Sequence, residues 1–273
     1  MKPILFPGLG LEVDINNVAF NILGKDIYWY GLIIVSGMLL AMFLAWKDKN
    51  KYGISWDDIT NFLIWAIITG IISARIYFVV FKWDYYSNHL NEIFMIWNGG
   101  IAIYGAIIGA LITALIFCKV KKVGFLNLCD FCAPYLALAQ SIGRWGNFVN
   151  REAFGGPTDS ILRMGIFDAN IGEYIFVHPT FLYESIITLF IFIVLLCIKK
   201  NKKFNGQIFY LYMILYGIGR ALVEGMRTDS LMIGYARVSQ LLAILFAVSF
   251  AGMYTWNSVL KNKMSKLVER KKS

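Results

Sequence analysis

The chain is predicted to be an all-α polytopic membrane protein with seven transmembrane helices. Its N-terminus is outside, its C-terminus is in the cytoplasm, and a small extracytoplasmic insertion carries short β structure. Three observations predict this. Of 273 residues, 58% are apolar and only 16% charged, with a mean hydropathy of +0.61, whereas soluble domains sit at roughly 45–50% apolar and about 25% charged. Seven apolar runs are long enough to cross a bilayer, for which about 20 residues suffice. Basic residues concentrate in alternate connections.

The runs are 27–46, 58–81, 99–118, 126–147, 179–198, 208–226 and 235–256, and together they make one integral-membrane domain over 1–273. The fourth is the weakest, with Asp130 and Pro134 inside it, but the connections on either side require the chain to cross there. The longest internal connection, 148–178, is the extracytoplasmic insertion. In it, Met164-Gly-Ile-Phe and Glu173-Tyr-Ile-Phe-Val are β-prone runs around Asp168-Ala-Asn-Ile-Gly, a hairpin pattern. The segment ahead of the first run is mixed apolar and polar, with Gly24 as a turn, and is expected to lie along the interface. Pro3, Pro7 and Gly8 interrupt any apolar core there, so no cleaved signal is expected.

Basic residues orient the spans. The connections 47–57, 119–125 and 199–207 and the tail from 257 hold 16 Lys or Arg, against 6 in the N-terminal segment and the other connections. The positive-inside rule puts the first set in the cytoplasm. That topology accounts for the net charge of +9 and excludes reading it as a nucleic-acid signal. The four cysteines, 118, 129, 132 and 197, lie in or beside apolar runs. Cys129 and Cys132 form a C-x-x-C with no second pair or histidine cluster to complete a metal site. They read as reduced packing residues, and neither metal nor organic cofactor is expected.

Arg75, Arg144, Arg220 and Arg237 fall inside the spans. Facing lipid, each would cost roughly 2.5–3.5 kcal/mol at mid-helix, and the four together on the order of 10 kcal/mol. They must therefore face the bundle interior or the interface. Their depth is informative. Spans 2, 4 and 6 run outward, so Arg75, Arg144 and Arg220 come late in them. Spans 1, 3, 5 and 7 run inward, so Tyr30, Tyr104, His178, Tyr183, Glu184, Arg237 and Gln240 come early. All lie toward the outer face. Snorkelling alone would not select one side, nor Arg over Lys, and Arg suits bidentate recognition of phosphate. The pattern predicts a polar pocket open to the outer leaflet and built for an anion. Its centre is Ser141 to Gly156, where Arg144 and Asn147 share a helix face, Asn150 and Glu152 follow, and glycines at 143, 146, 155 and 156 allow close approach. Arg220 and Glu224, at i, i+4, are spaced to pair.

Gly143-Arg-Trp-Gly-Asn-Phe-Val-Asn-Arg-Glu152 resembles the signature of the bacterial phosphatidylglycerol–prolipoprotein diacylglyceryl transferases. Tyr28-Trp-Tyr-Gly, Ala74-Arg-Ile-Tyr, Trp97-Asn-Gly-Gly-Ile-Ala-Ile-Tyr-Gly, His178-Pro-Thr-Phe-Leu-Tyr-Glu and Arg220-Ala-Leu-Val-Glu-Gly-Met-Arg resemble other blocks of that family, in order, from about 28 to 240. The resemblance implies a seven-spanning enzyme of the bacterial cell membrane. It would transfer the diacylglyceryl group of phosphatidylglycerol to the lipobox cysteine of a prolipoprotein signal peptide, forming a thioether and releasing glycerol phosphate. No nucleic acid would be involved.

Carried over by position, the resemblance makes Arg144, Arg220 and Tyr104 catalytic. It assigns Arg144, Asn147, Tyr30, Glu152, Arg75 and Asn150 to phosphatidylglycerol, and Glu224, Glu184 and His178 to structural pairing. His178, before Pro179, reads as a helix-start hydrogen-bonding residue. Tyr104 is a departure, because some relatives carry His there. With an ordinary pKa of about 10, a tyrosine acts as base only if an arginine lowers that value; otherwise it only hydrogen-bonds. The alternative classes fit less well. A transporter for an anion would show internal repeats and a midplane site, and the inner halves of these spans carry few polar groups. An intramembrane protease would need a motif such as H-E-x-x-H, and His89 and His178 are the only histidines.

Overall fold

The computed structural model describes residues 2–48, 54–228, 232–233 and 236–270. Parts of the connections 47–57 and 227–234, residue 235 at the head of the seventh run, and the last three residues of the basic tail lie outside the described residues. The N-terminal part contains β1 (Ile4–Phe6), β2 (Leu11–Val13), β3 (Val18–Ile22), β4 (Lys25–Tyr28) and α1 (Trp29–Asp48). Then come α2 (Trp56–Phe81), the short α3 (Trp83–Tyr86), α4 (Ile103–Lys121) and α5 (Phe125–Asn150). Finally there are β5 (Met164–Asp168), β6 (Glu173–Val177), α6 (Thr180–Lys199), α7 (Gln207–Glu224), β7 (Met232–Ile233), β8 (Ala236–Arg237) and α8 (Val238–Arg270). Two compact units result, residues 1–45 with 129–273, and residues 46–128.

The chain is a mostly helical, multi-pass membrane protein. Among the described residues, five helices are long and apolar enough to cross a membrane: α1, α2, α4, α6 and the Val238–Lys261 part of α8. The fourth and sixth predicted runs are also helices, α5 of 26 and α7 of 18 residues, but they are more polar. The reason is internal use of their polar groups. Asp130 on α5 is fully buried and accepts the backbone N–H of Gly206 at 2.7 Å and of Phe209 at 2.9 Å. It thereby caps α7, whose first N–H groups have no partner within the helix, and Lys202 Nζ lies 2.9 Å from the same carboxylate. Ser141 of α5 and Ser185 of α6 each donate to the other's carbonyl, at 2.8 and 2.9 Å. Such exchanges join helices where apolar burial drives little association.

The segment ahead of α1 forms four strands, and is not only a stretch along the interface as its composition suggested. β1 pairs antiparallel with β2 and, through Leu5 and Gly165, with β5, giving a sheet ordered β2-β1-β5-β6. Ile4 and Phe6 lie on one face of their strand and are buried with Met164, Ile166 and Val177 against Phe148 and Val149 of α5 and Phe181 of α6. Phe148 and Phe181 stack at 4.7 Å between ring centroids. This cluster seats the sheet on the ends of α5 and α6. β5 and β6 form the hairpin predicted in the insertion, in register from Met164↔Val177 to Asp168↔Glu173. β3 and β4 form a separate hairpin that turns at Gly24, where φ is +79°.

In the second unit, α2 and α4 run antiparallel. Asp58 at the start of α2 pairs with Lys121 at the end of α4, 2.6 Å apart. A Cβ on Gly109 would come within 2.5 Å of the Thr69 carbonyl oxygen, and one on Gly105 would overlap that of Ser73. These glycines let the two backbones touch, the small-residue packing expected between helices in lipid. Thr69 and Thr113 share a hydroxyl hydrogen bond of 2.6 Å at the same contact.

Candidate active site

Three helix ends in the first unit meet around Glu184. The residue sits in the second turn of α6 and is 5% exposed, near a helix N-terminus, where the backbone dipole favours negative charge. One of its carboxylate oxygens, Oε2, pairs with Arg144 Nη2 of α5. The other, Oε1, accepts from Arg220 Nη1 of α7 at 2.9 Å and lies 3.9 Å from Arg227 Nη1. Arg220 Nη2 lies 2.6 Å from Glu224 Oε2, the i, i+4 pair. Glu224 is buried at the C-terminal end of α7, where the dipole disfavours a carboxylate, so its arginine offsets that cost.

Arg144 also reaches outward along its own helix. Its Nη1 donates to Asn147 Oδ1 at 3.4 Å, and Asn147 Nδ2 donates to Glu152 Oε1 at 2.9 Å. Glu152 gains its place from the end of α5. Arg151 and Ala153 on either side of it adopt φ of +55°, a left-handed conformation uncommon outside glycine, and the Glu152 N–H returns to the Asn147 carbonyl at 3.0 Å.

Charge and exposure together describe what the cluster can do. Three guanidiniums surround two buried carboxylates, and the third carboxylate of the group, Glu152, stands apart from them beyond Asn147. The carboxylate side chains are 3–6% exposed and the guanidinium side chains 12–24%. Cations therefore form the accessible rim and anions its floor. An arriving anion meets N–H donors that are already oriented, the arrangement that stabilises negative charge at little reorganisation cost.

A cavity of about 660 Å³ adjoins this chain of side chains, with Tyr30, Asn150 and Glu152 in its wall. Tyr30 packs on α5 at Gly146, where a Cβ would lie 2.8 Å from the tyrosine ring. His178, just before α6, has Nδ1 3.4 Å from Tyr183 Oη. Its backbone joins a small bridge: Gly155 N–H donates to the His178 carbonyl at 2.9 Å, and Gly156 N–H to that of Met226 at 2.8 Å. A Cβ on Gly155 would lie 2.8 Å from His178 Cβ and 2.9 Å from the Met226 carbonyl oxygen. Only glycine fits there, and this bridge delivers Arg227 to Glu184.

Arg144, Asn147, Glu152, Glu184, Arg220 and Glu224 are thus brought into one connected group, with Tyr30 and Asn150 beside it. Arg227 was read from sequence only as one of the outer basic residues. No helical spacing marks it, because α7 ends at Glu224 and Arg227 lies in the bridge to Gly155. Arg237, also inside a predicted span, donates to the Gly225 carbonyl.

Arg75 and Tyr104 belong to the second unit. Arg75 is 7% exposed and uses its guanidinium on backbone carbonyls. Nε donates to Ile93 at 2.8 Å, Nη1 to Gly99 and Gly100 at 2.8 Å, and Nη2 to Glu92 at 2.6 Å. It organises the connection between α2 and α4. Tyr104, in the first turn of α4, is half exposed and its ring lies 6.4 Å from that of Tyr77.

The chain is similar over most of its length to one set of known proteins. The profile of the prolipoprotein diacylglyceryl transferase family matches residues 17–256. The phosphatidylglycerol–prolipoprotein diacylglyceryl transferase of Finegoldia magna is 50% identical over 239 residues, covering 87% of this chain and 93% of that one. Proteins of the same name from Listeria monocytogenes serotype 4a and Listeria innocua serovar 6a are 46% and 44% identical. Each match covers 97% of this chain and the whole of the relative.

Proposed function

The chain belongs to the prolipoprotein diacylglyceryl transferase family, and we propose that it performs the family's transfer at the arginine and glutamate cluster around Glu184. It is a transferase that moves the diacylglyceryl group of phosphatidylglycerol onto a prolipoprotein. The acceptor is the thiol of the lipobox cysteine. A sulfur–carbon bond forms to the glyceryl carbon as that carbon's bond to the phosphate oxygen breaks. The bonding electrons leave with the phosphate, glycerol phosphate departs, and the thiol's proton is released to water.

The observation that carries this reading is the cationic rim over a buried anionic floor. Negative charge grows on the bridging phosphate oxygen as the carbon–oxygen bond breaks. Arg144 and Arg220 offer it guanidinium donors held in place by Glu184 and Glu224, and Arg227 adds a third. Losing one such preorganised donor typically costs about 10²–10³ in rate. Asn147 and Glu152 hold Arg144 from its outer side, and Tyr30 and Asn150 stand in the wall of the adjoining cavity. The same positive charge favours the thiolate, the reactive form of a group whose ordinary pKa is about 8.5. Tyr104 is assigned to the reaction as a hydrogen-bonding residue or base, and Arg75 to shaping the connection before α4. His178 orients Tyr183.

Seven spans with the N-terminus outside and the site facing the outer leaflet of the bacterial cell membrane fit this chemistry, because the acceptor is a precursor in transit through that membrane. Nucleic acid has no part in it. The test combines purified protein, phosphatidylglycerol and a lipobox peptide, with wild type beside Arg144→Ala and with a Cys→Ser peptide. Thioether and glycerol phosphate are expected only from wild type with the cysteine peptide. No product from well-folded wild type would remove the assignment.

A further inference from the structure

The cavity beside the cluster has the wrong charge for a phosphate. Its walls carry two carboxylates, Asp26 and Glu152, and among the described residues no cationic side chain. The arginines lie at the other end of the hydrogen-bonded chain Glu152–Asn147–Arg144. A reaction with two substrates needs two places. The lipid phosphate belongs with the guanidiniums, which leaves the cavity for the other reactant.

Its shape identifies the chemistry of that reactant. Asp26, Ile27 and Tyr28 of β4 all line it. Successive side chains of a strand point to opposite faces, so a cavity lined by three consecutive residues reaches past one face of β4; Asn17, just ahead of β3, lines it as well. The sheet containing β4 has two strands, ordered β3-β4, and among the described residues no strand covers the other edge of β4. An uncovered edge presents N–H and C=O groups that an added strand can pair. Four residues of β4 give about 13 Å of edge. Below it, Leu32 and Val35 of α1 carry the cavity downward. Val35 lies about 9 Å past the start of α1, along a helix that is long and apolar enough to span a membrane. The space therefore runs from a strand edge down to an apolar helix face, and its volume is that of an ordinary ligand site.

We propose that this cavity docks the acceptor polypeptide, whose extended segment around the cysteine adds as a third strand on the edge of β4 while its apolar side chains rest on Leu32 and Val35. This rests on the transferase reading. A lipid has no use for a strand edge, and its phosphate is repelled by both carboxylates. A peptide leaving the membrane satisfies both halves of the cavity, and its cysteine then lies on the Glu152 side, toward Arg144.

The test uses the full-length protein in micelles containing phosphatidylglycerol. A lipobox peptide with its cysteine changed to serine carries a benzophenone side chain just before that position, so illumination reports docking without turnover. Attachment is expected within residues 25–35 and is expected to be lost in Gly31→Leu. A Cβ on Gly31 meets nothing within 4 Å and leucine is a better helix former than glycine, so the variant folds and fills the cavity. With the cysteine peptide, Gly31→Leu should raise KM for the peptide about tenfold and leave KM for the lipid within about twofold. Attachment only outside 25–35 would overturn the docking site. So would a Gly31→Leu defect confined to the lipid KM, which would put lipid in the cavity, or an unchanged peptide KM. Wild type that attaches the peptide at 25–35 but forms no thioether would uphold the docking site and remove the transferase reading instead.

Discussion

Replacing Glu184 by Gln keeps the side chain's shape and removes its charge. In the native protein the carboxylate holds Arg144 on one oxygen and Arg220 on the other, with Arg227 3.9 Å away. The glutamine carbonyl can accept from one guanidinium, but its NH₂ then faces the other. One charge-assisted bond is lost and the second becomes a bond to a neutral acceptor. Bonds to charged groups are worth about 1.5–3 kcal/mol and neutral ones about 0.5–1.5, so the gross loss is about 2.5–4.5 kcal/mol. The guanidinium side chains are 12–24% exposed, and water recovers part of it, which puts the net loss near ~2 kcal/mol. Expressed in the transition state, that is about a 30-fold fall in turnover. The assay is kcat and lipid KM for wild type, Glu184→Gln, Arg144→Ala and the double variant. Because Glu184 acts by holding Arg144 and Arg220, most of its effect should vanish once Arg144 is gone, with a coupling energy of about 1–2 kcal/mol. If the double variant instead shows the product of the two single effects, Glu184 and Arg144 do not work as one unit, and the reasoning from the cluster fails.

Asp130→Ala removes the cap of α7 and the buried carboxylate that Lys202 faces; a loss of about 3–5 kcal/mol is expected, read as a lower thermal midpoint in detergent, and an unchanged midpoint would contradict the capping role. Gly105→Val should prevent α2 and α4 from meeting at Ser73 and sharply lower the yield of folded protein, whereas normal yield and midpoint would show that the contact is not needed. Tyr104→Phe should reduce turnover strongly while leaving the thermal midpoint alone; near-normal turnover would take Tyr104 out of the reaction. Gly155→Ala should lower kcat and the thermal midpoint together, since the added methyl pushes on His178 and the Met226 carbonyl and moves Arg227 away from Glu184; wild-type kcat would mean that Arg227 is not held by this bridge.

Much of the helical frame was readable because a membrane imposes a local rule. Each apolar stretch of about 20 residues stands out without knowledge of its neighbours, but such a stretch does not mark where its helix stops: α8 runs on to Arg270, through the tail that begins at 257. The α5 run looked weakest for the reason that the structure then supplies: Asp130 serves the start of α7. The β5–β6 hairpin was also local, two β-prone runs around a turn. β1 was not. It pairs through Leu5 with Gly165 of β5, more than half the chain away, and nothing within Ile4 to Phe6 marks that partner. Arg144, Asn147, Arg220 and Glu224 were readable because helical spacing places them on shared faces. Arg227 was not, because α7 ends at Glu224 and a backbone bridge through Gly155 carries the chain back.

Composition and helical period therefore dictate that this chain lives in a membrane, where its long helices lie, and that arginines gather near one end of several of them. Those properties depend on neighbours along the chain and on the cost of charge in lipid. Which carboxylate each arginine faces is a matter of packing. Glu184 is many helical turns from both Arg144 and Arg220 in sequence, and it joins them only because Ser141 and Ser185 lock α5 to α6 and the sheet seats both helix ends. The cavity lined by β4 and α1 depends likewise on where a hairpin comes to rest, which no periodicity in the residues encodes.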